Sequence, residues 1–291
     1  MSTQIIADST CDIEEGLLEG LELKVLPLVI TIEGREYFDS ETINVSELYE
    51  TMSRGIVPKT AQIPYDRTYD LFRSCLDSGR DVIYISFSST MSNCFSLACM
   101  AAKELSAVYP DRKIAVIDSK GGSGATGLIV LQALKMADAG APFEQIESAV
   151  RFMAEHIEHE FSVEDLEWLA KGGRIPRIVG AVGSKLGIRP VLDVRNGSIC
   201  FRKMMRGKRK AIEEVAGRII AKAADFPVQL VSITHADDIV SAAALEELIK
   251  KGLPGCITTI SHIGCVLSAH LGLKGIGAYC LNKRPEHYCL I

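Results

Sequence analysis

The segment Ser88-Ser89-Thr90-Met91-Ser92 places four hydroxyl side chains within five residues, directly after the apolar run Val82–Ser86 and before a helical pattern. Two shorter polar turns, Asp8-Ser9-Thr10 and Asp118-Ser119, follow the apolar runs Gln4–Ala7 and Lys113–Ile117 in the same way. A helix N-terminus carries unpaired N–H groups and a partial positive charge, and hydroxyls beside it add donors. The chemistry this suits is the holding of an oxyanion, either carboxylate or phosphate. Ser, Thr and Asp are also ordinary N-caps, so each turn taken alone reads as capping. The serine-dense loop needs only one cap and is the candidate for more.

Other chemically suggestive residues read more plainly. Lys171-Gly172-Gly173-Arg174-Ile175 has the glycines of a helix C-cap, and its arginine stands at a junction from which it can equally reach an anion. His270, among the small apolar residues of Ser268-Ala269-His270-Leu271-Gly272, reads by composition as a core histidine. His156 and His159, beside Glu155 and Glu160, read as a solvated, charge-rich helix end. Asp238, after His235, reads as the cap of the next helix. Gly122-Ser123-Gly124-Ala125-Thr126-Gly127 fits G-x-G-x-x-G, but it is not the first strand-to-helix turn and stands four residues from its strand, so a dinucleotide site is the lesser reading. No G-x-S-x-G elbow or P-loop is present, and no acid or base is evidently paired with Ser92, so a catalytic triad is not expected. Arg202-Lys203-Met204-Met205-Arg206-Gly207-Lys208-Arg209-Lys210 packs six cations into nine residues. Charge this dense meets either solvent or something negative, a phosphate or an acidic partner surface.

The elements that must position these residues alternate short apolar runs with helical patterns over the first half, the signature of β-α units and a largely parallel sheet. Strands are expected at Gln4–Ala7, Lys24–Ile32, Arg35–Phe38, Val82–Ser86 and Lys113–Ile117. Helices are expected at Val45–Met52, Pro64–Ser78, up to Val108, at Thr126–Ala139 and from Pro142 to His156. A change of texture after His156 sets the expected domain boundary, dividing the chain into 1–156 and 157–291. The second half reads as a mixed or antiparallel sheet with helices on one side. Its strands are Pro190–Val194, Ser198–Lys203, Val228–Thr234, Ile257–Ser261 and Ile276–Leu281, its helices Leu166–Lys171, Lys210–Ala224 and Ile239–Lys250. Asn196-Gly197 marks a hairpin turn.

Composition agrees with an ordinary globular α/β protein. The 291 residues suffice for two domains, and 47% are hydrophobic and 24% charged. A net charge of −5 argues against general attraction to nucleic acid or anionic membrane. No signal peptide is visible, and the apolar stretches Val25–Ile32 and Leu128–Leu134 are far short of a membrane span of roughly 20 residues. Nine scattered cysteines without a C-x-x-C pair suggest neither a disulfide framework nor a zinc site, and point to free thiols in a reducing cytoplasm.

Taken in order, Asp8-Ser9-Thr10, Lys59-Thr60-Ala61-Gln62-Ile63-Pro64, the 88–92 loop, Asp118-Ser119, Leu169–Ile175, Gly187–Leu192, Arg206–Ala211 and Ala269–Gly272 make the whole chain resemble the DegV family of bacterial fatty-acid-binding proteins. The resemblance implies a DegV-like fold: a mostly parallel three-layer α/β domain, then an α/β domain with a mixed or antiparallel sheet. It implies one long-chain fatty acid as ligand and no cofactor. Thr60, Ser92 and His270 would hold the carboxylate, with Arg174 close by and Ser88 and Ser89 as candidate supporting hydroxyls. It also implies a role as the binding subunit of a separate fatty acid kinase, not an enzyme, with Arg206 at the docking surface. The sequence departs from the family where Ile63 extends Thr-x-Gln-Pro by one residue, and where Thr90, Asn93 and Cys94 replace two glycines and a threonine. The alternative is an enzyme that uses the Ser88–Ser92 loop for acyl or phosphoryl transfer.

Overall fold

The computed structural model describes residues 2–164, 166–175 and 187–291. Strands β1 (Thr3–Asp8), β2 (Leu23–Leu26), β6 (Asp81–Ser86) and β7 (Ile114–Asp118) form a parallel sheet in the order β2-β1-β6-β7. β6 is buried throughout and β1 almost so, without alternation, because helices cover both faces. On one face lie α2 (Tyr65–Asp77) and α3 (Cys94–Val108), whose Phe72, Leu76, Ala98 and Leu105 pack on Ile6, Val82 and Tyr84. On the other lie α4 (Ser123–Asp138) and α5 (Phe143–His156), whose Ile129, Ala133, Ile146 and Val150 pack on Ile5, Ile83 and Ile85. These are the three expected layers.

The expected single strand Lys24–Ile32 is two. Pro27, which has no N–H to give a sheet, separates β2 from β3 (Val29–Ile32). β3 leaves the parallel sheet and joins an antiparallel one of order β4-β3-β5, with β4 at Arg35–Phe38 and β5 at Lys59–Ala61. β5 is too short to show a period in the sequence, yet its register, Ile30 opposite Thr60, places a candidate ligand residue. Helix α1 (Val45–Ser53) lies between β4 and β5 in the chain, its start fixed by a capping box between Asn44 and Glu47.

A six-stranded sheet follows, formed by β8 (Ile157–Ser162), β9 (Ile188–Arg195), β10 (Ser198–Arg206), β11 (Leu230–His235), β12 (Ile257–His262) and β13 (Ile276–Leu281). Its order is β10-β9-β8-β13-β11-β12, mixed because only β11 and β12 pair in parallel. Helices α7 (Lys208–Lys222) and α8 (Ile239–Gly252) cover one face. Toward the other face lie α4, the short α6 (Glu167–Lys171) and α9 (Cys265–Leu271).

Helix α4 is buried between the two sheets: the core that holds Ile5 and Ile83 also holds Leu230, Tyr279 and Leu281. The spacing Gly122–Gly127 is explained by that packing. A Cβ at Gly124 would lie 2.2 Å from the Ser232 hydroxyl, and one at Gly127 would lie 2.4 Å from the Asp12 carbonyl oxygen. The glycines admit neighbouring chain, and no nucleotide cradle is needed to account for them. Among the described residues no helix is long and apolar enough to cross a membrane.

Two readings of charge are corrected by the fold. His159 and Glu160 belong to β8 and are buried, at 4% and 0% exposure, not at a solvated helix end. The basic run is largely offset by acids from elsewhere in the chain: Arg202 pairs with Asp193, Lys203 with Glu214, Lys208 with Asp238 and Arg209 with Glu213.

Candidate functional site

Thr60 and His270, 210 residues apart, meet across a 2.7 Å hydrogen bond between Oγ1 and Nε2. β5 supplies the threonine. The histidine comes from α9, whose first turn is held by Asp12, accepting the Gly264 N–H at 2.9 Å. The helix ends at Gly272, at φ +77, where a Cβ would lie 2.6 Å from the Trp168 ring. On its other edge the imidazole abuts the C-cap of α6: a Cβ at Gly172 would stand 2.1 Å from Nδ1. Gly172 is therefore required for close approach, since its own backbone is ordinary right-handed helix. Burial, and after it the nearby charge of Arg174, push the His270 pKa down to about 4. The ring is neutral at neutral pH. Nδ1 has no hydrogen-bond partner among the described residues.

Ser92 and Arg174 line the same cavity as Thr60 and His270. The Ser92 hydroxyl donates to Cys94 Sγ at 3.1 Å, and the Cys94 N–H donates back to it at 3.3 Å, so this serine is tied to the first residue of α3. Arg174 is exposed and bridges two loops, donating to the carbonyls of Met91 at 3.3 Å and Gly172 at 2.6 Å. Its charge therefore sits at the mouth, between the serine loop and the helix against which His270 lies.

The sequence places Ser88 and Ser89 near the anion, and the structure directs them elsewhere. Ser88 donates to the Gly197 carbonyl at 2.7 Å, as does Thr90 at 2.5 Å. Gly197 is half of the expected hairpin turn, with Asn196 and Gly197 at φ +48 and +81. Ser89 donates to Asp118 Oδ2 at 2.5 Å and lines only the outer, open side of the loop. Neither lines the cavity. Their hydroxyls shape the loop that carries Ser92.

The cavity, about 740 Å³ including its open mouth, runs inward from these polar groups between the serine loop and the six-stranded sheet. Its walls are mainly aliphatic, with Leu169, Val194, Ile199, Leu267 and Leu271, joined by Phe87 and Phe161. Gln62 and His159 also line it. Sequence reading missed His159, although Ile157, His159, Phe161 and Val163 recur at every second position, the period of one strand face. The acid-rich neighbours obscured that period. Among the described residues no group of three or more His, Cys, Asp or Glu side chains is placed to hold a metal ion.

The arrangement can hold an anionic head on hydroxyl and imidazole donors while burying an apolar chain. Ser92 has no base as its hydrogen-bond partner among the described residues: its hydroxyl is engaged by Cys94, and the imidazole that lines the same cavity is engaged by Thr60.

Comparison with known proteins agrees. A family model described as "Uncharacterised protein, DegV family" matches residues 2–283. A DegV domain-containing protein of Clostridium acetobutylicum is 30% identical over 283 residues, 96% of this chain and 98% of the relative. A fatty-acid-binding DegV family protein from Thermus thermophilus superposes with a TM-score of 0.86 at 28% identity, covering 96% of this chain and 99% of the other. A stearic-acid-binding protein from Eubacterium ventriosum superposes with a TM-score of 0.86 at 26% identity, covering 95% and 97%. With the family model spanning nearly the whole chain and this fold shared with its solved relatives, the chain belongs to the DegV family.

Proposed function

We propose that this protein binds one long-chain fatty acid and presents its carboxylate to a separate fatty acid kinase for conversion to an acyl phosphate. Thr60, Ser92 and His270 hold the carboxylate, Arg174 supplies a positive charge at the mouth, and the chain lies in the cavity toward the six-stranded sheet. The protein is a binding subunit, not an enzyme, and needs no cofactor of its own. Residues 1–156 and 157–291 act as two domains, the first carrying Thr60 and Ser92 and the second closing over the tail.

The observation that carries this reading is the Thr60–His270 pair, with Ser92 and Arg174, on an otherwise apolar cavity. Burying methylenes is worth about 0.8 kcal/mol each, on the order of 10 kcal/mol for a sixteen-carbon chain before entropy costs. Burying the carboxylate costs several kcal/mol, and each charge-assisted hydrogen bond returns about 1.5–3 kcal/mol. The tail supplies affinity and the head fixes orientation. The fatty-acid binding of the Thermus and Eubacterium relatives supports the same ligand class.

Mass spectrometry of an organic extract of protein purified from a bacterial host tests this. A co-purifying long-chain acid is expected. A lipid-free protein that also fails to take up oleate or palmitate would refute it. Transfer chemistry on the serine loop has one observation in its favour, the Ser89–Asp118 hydroxyl–carboxylate pair. Mass added covalently to Ser88, Ser89 or Ser92 on incubation with an activated acyl donor would establish that reading instead.

A further inference from the structure

His159 is 4% exposed, and neither ring nitrogen has a hydrogen-bond partner among the described residues. A buried polar group in that condition is costly unless something else satisfies it. The other polar side chains deep in the cavity are already engaged. Ser123 donates to Asp12 Oδ2 at 2.5 Å, and the hydroxyls of Tyr279 and Thr234 lie 3.1 Å apart. The ring of His159 is fixed in position. Gly121 leaves room for it, since a Cβ there would lie 1.9 Å from Nε2, and Tyr279 meets it edge-on with centroids 5.6 Å apart.

Strand geometry places this ring away from the head group. His159 and Phe161 line the cavity from the same face of β8, about 7 Å apart along the strand. Phe161 clusters with Leu169 and Leu271, next to the helix ends that carry Arg174 and His270, so His159 lies on the distal side of Phe161. His159 and Val194 also line a second, polar pocket with Lys120, Glu155, Arg195 and Lys222. At the opposite end, Gln62, Ser92 and Arg174 line the polar pocket at the mouth. The apolar cavity therefore has a polar group at both ends.

We propose that the preferred ligand is a fatty acid hydroxylated in the distal half of its chain, with the hydroxyl bonded to His159. This rests on the fatty-acid reading above and narrows it. A hydroxyl both donates and accepts, and a neutral imidazole offers one N–H and one lone pair. Burial keeps the ring neutral, its pKa pushed down to about 4. A plain methylene chain leaves both ring nitrogens unpaired; a single chain hydroxyl engages one of them, as donor or as acceptor.

Displacement of a fluorescent fatty acid from the full chain by stearate and by 12-hydroxystearate tests the proposal. The wild type is expected to favour the hydroxy acid by about tenfold, the scale of one buried hydrogen bond. His159→Leu should abolish or reverse that preference, and His159→Gln, which keeps a donor and an acceptor, should retain part of it. Equal preference in the wild type and His159→Leu would overturn the proposal. So would a wild type that binds stearate as tightly as the hydroxy acid, a result that does not depend on the variants folding. Binding of neither acid would refute the fatty-acid reading itself, and this proposal with it.

Discussion

The two ends of the cavity each carry a histidine whose pKa burial pushes down to about 4, yet the two rings are held in opposite ways. His270 touches a hydroxyl through Nε2, lies on the backbone of Gly172 and shares the mouth with the Arg174 guanidinium. His159 has no hydrogen-bond partner among the described residues; Gly121 and Tyr279 pack against it, and it stands between the apolar cavity and the polar pocket of Lys120 and Glu155. The same side chain therefore stands in two different surroundings. In the reading proposed above, paired donors and a cation near the mouth would fix an anion, and the unpaired ring at depth would discriminate among chains that have already entered.

That contrast can be broken most strongly at Gly172. Gly172→Ala adds no backbone strain, because the residue is right-handed helical, but its Cβ would collide with His270 Nδ1. Fatty-acid affinity is expected to fall on the order of 100-fold, the loss of one or two charge-assisted hydrogen bonds, with little change in Tm. Binding titration beside a thermal melt checks both. Unchanged affinity would mean that His270 does not hold the head group.

The distal end is tested by filling it. Val194→Trp should leave the mouth intact and shift the preference toward shorter acids, by about fourfold in affinity for each methylene excluded. A chain-length series from twelve to eighteen carbons reads this directly, and an unshifted series would place the tail elsewhere.

A residue outside both ends should affect neither. Arg206 is exposed at the end of β10, and among the described residues no ion pair engages it, unlike four of its basic neighbours. Arg206→Ala is expected to slow acyl-phosphate formation with the kinase several-fold while fatty-acid affinity stays the same. Equal loss of both would count against docking.

The smallest effect in the wild type is on stability against pH, because Asp12 opposes the two lowered histidines, His159 and His270. His159 is lowered from 6.5 to about 4, so the unfolded chain takes up that proton first and stability is lost as pH falls from about 6.5 toward 4. Asp12 is raised from 3.8 to about 7 by burial, so the folded chain holds that proton longer and stability is lost as pH rises from about 4 toward 7. His159→Gln should shift the pH dependence toward greater stability on acidification over this window, by roughly 1–3 kcal/mol relative to wild type, with His270 and Asp12 left to oppose one another. Asp12→Asn should shift it the other way. Urea melts at pH 4.5 and 7 separate them, and parallel slopes for all three proteins would show that neither group titrates as its burial implies.

How much of this was legible in sequence follows from how local each signal is. The β-α alternation, the serine loop, the C-cap glycines and the Asn196-Gly197 turn are written in adjacent residues, and each appears in the structure. Gly172 was legible as a cap and not as the surface against which His270 rests. Strand β5 was not legible, since three residues show no period, and with it went the placement of Thr60. The family resemblance supplied Thr60, Ser92 and His270 as a set; composition alone reads His270 as core.

Local chemistry therefore determined the elements, because capping, turn geometry and hydrophobic period act over a few neighbouring residues. The tertiary structure decided which hydroxyls face the cavity and which bind the Gly197 carbonyl or Asp118. It also decided which cations are offset, since Asp193, Glu214 and Asp238 come from other elements, whereas Glu213 meets Arg209 one turn along the same helix. Above all it turned His159 toward the cavity, because a strand sends alternate side chains to opposite faces and only the packed sheet says which of the two buried faces the cavity meets.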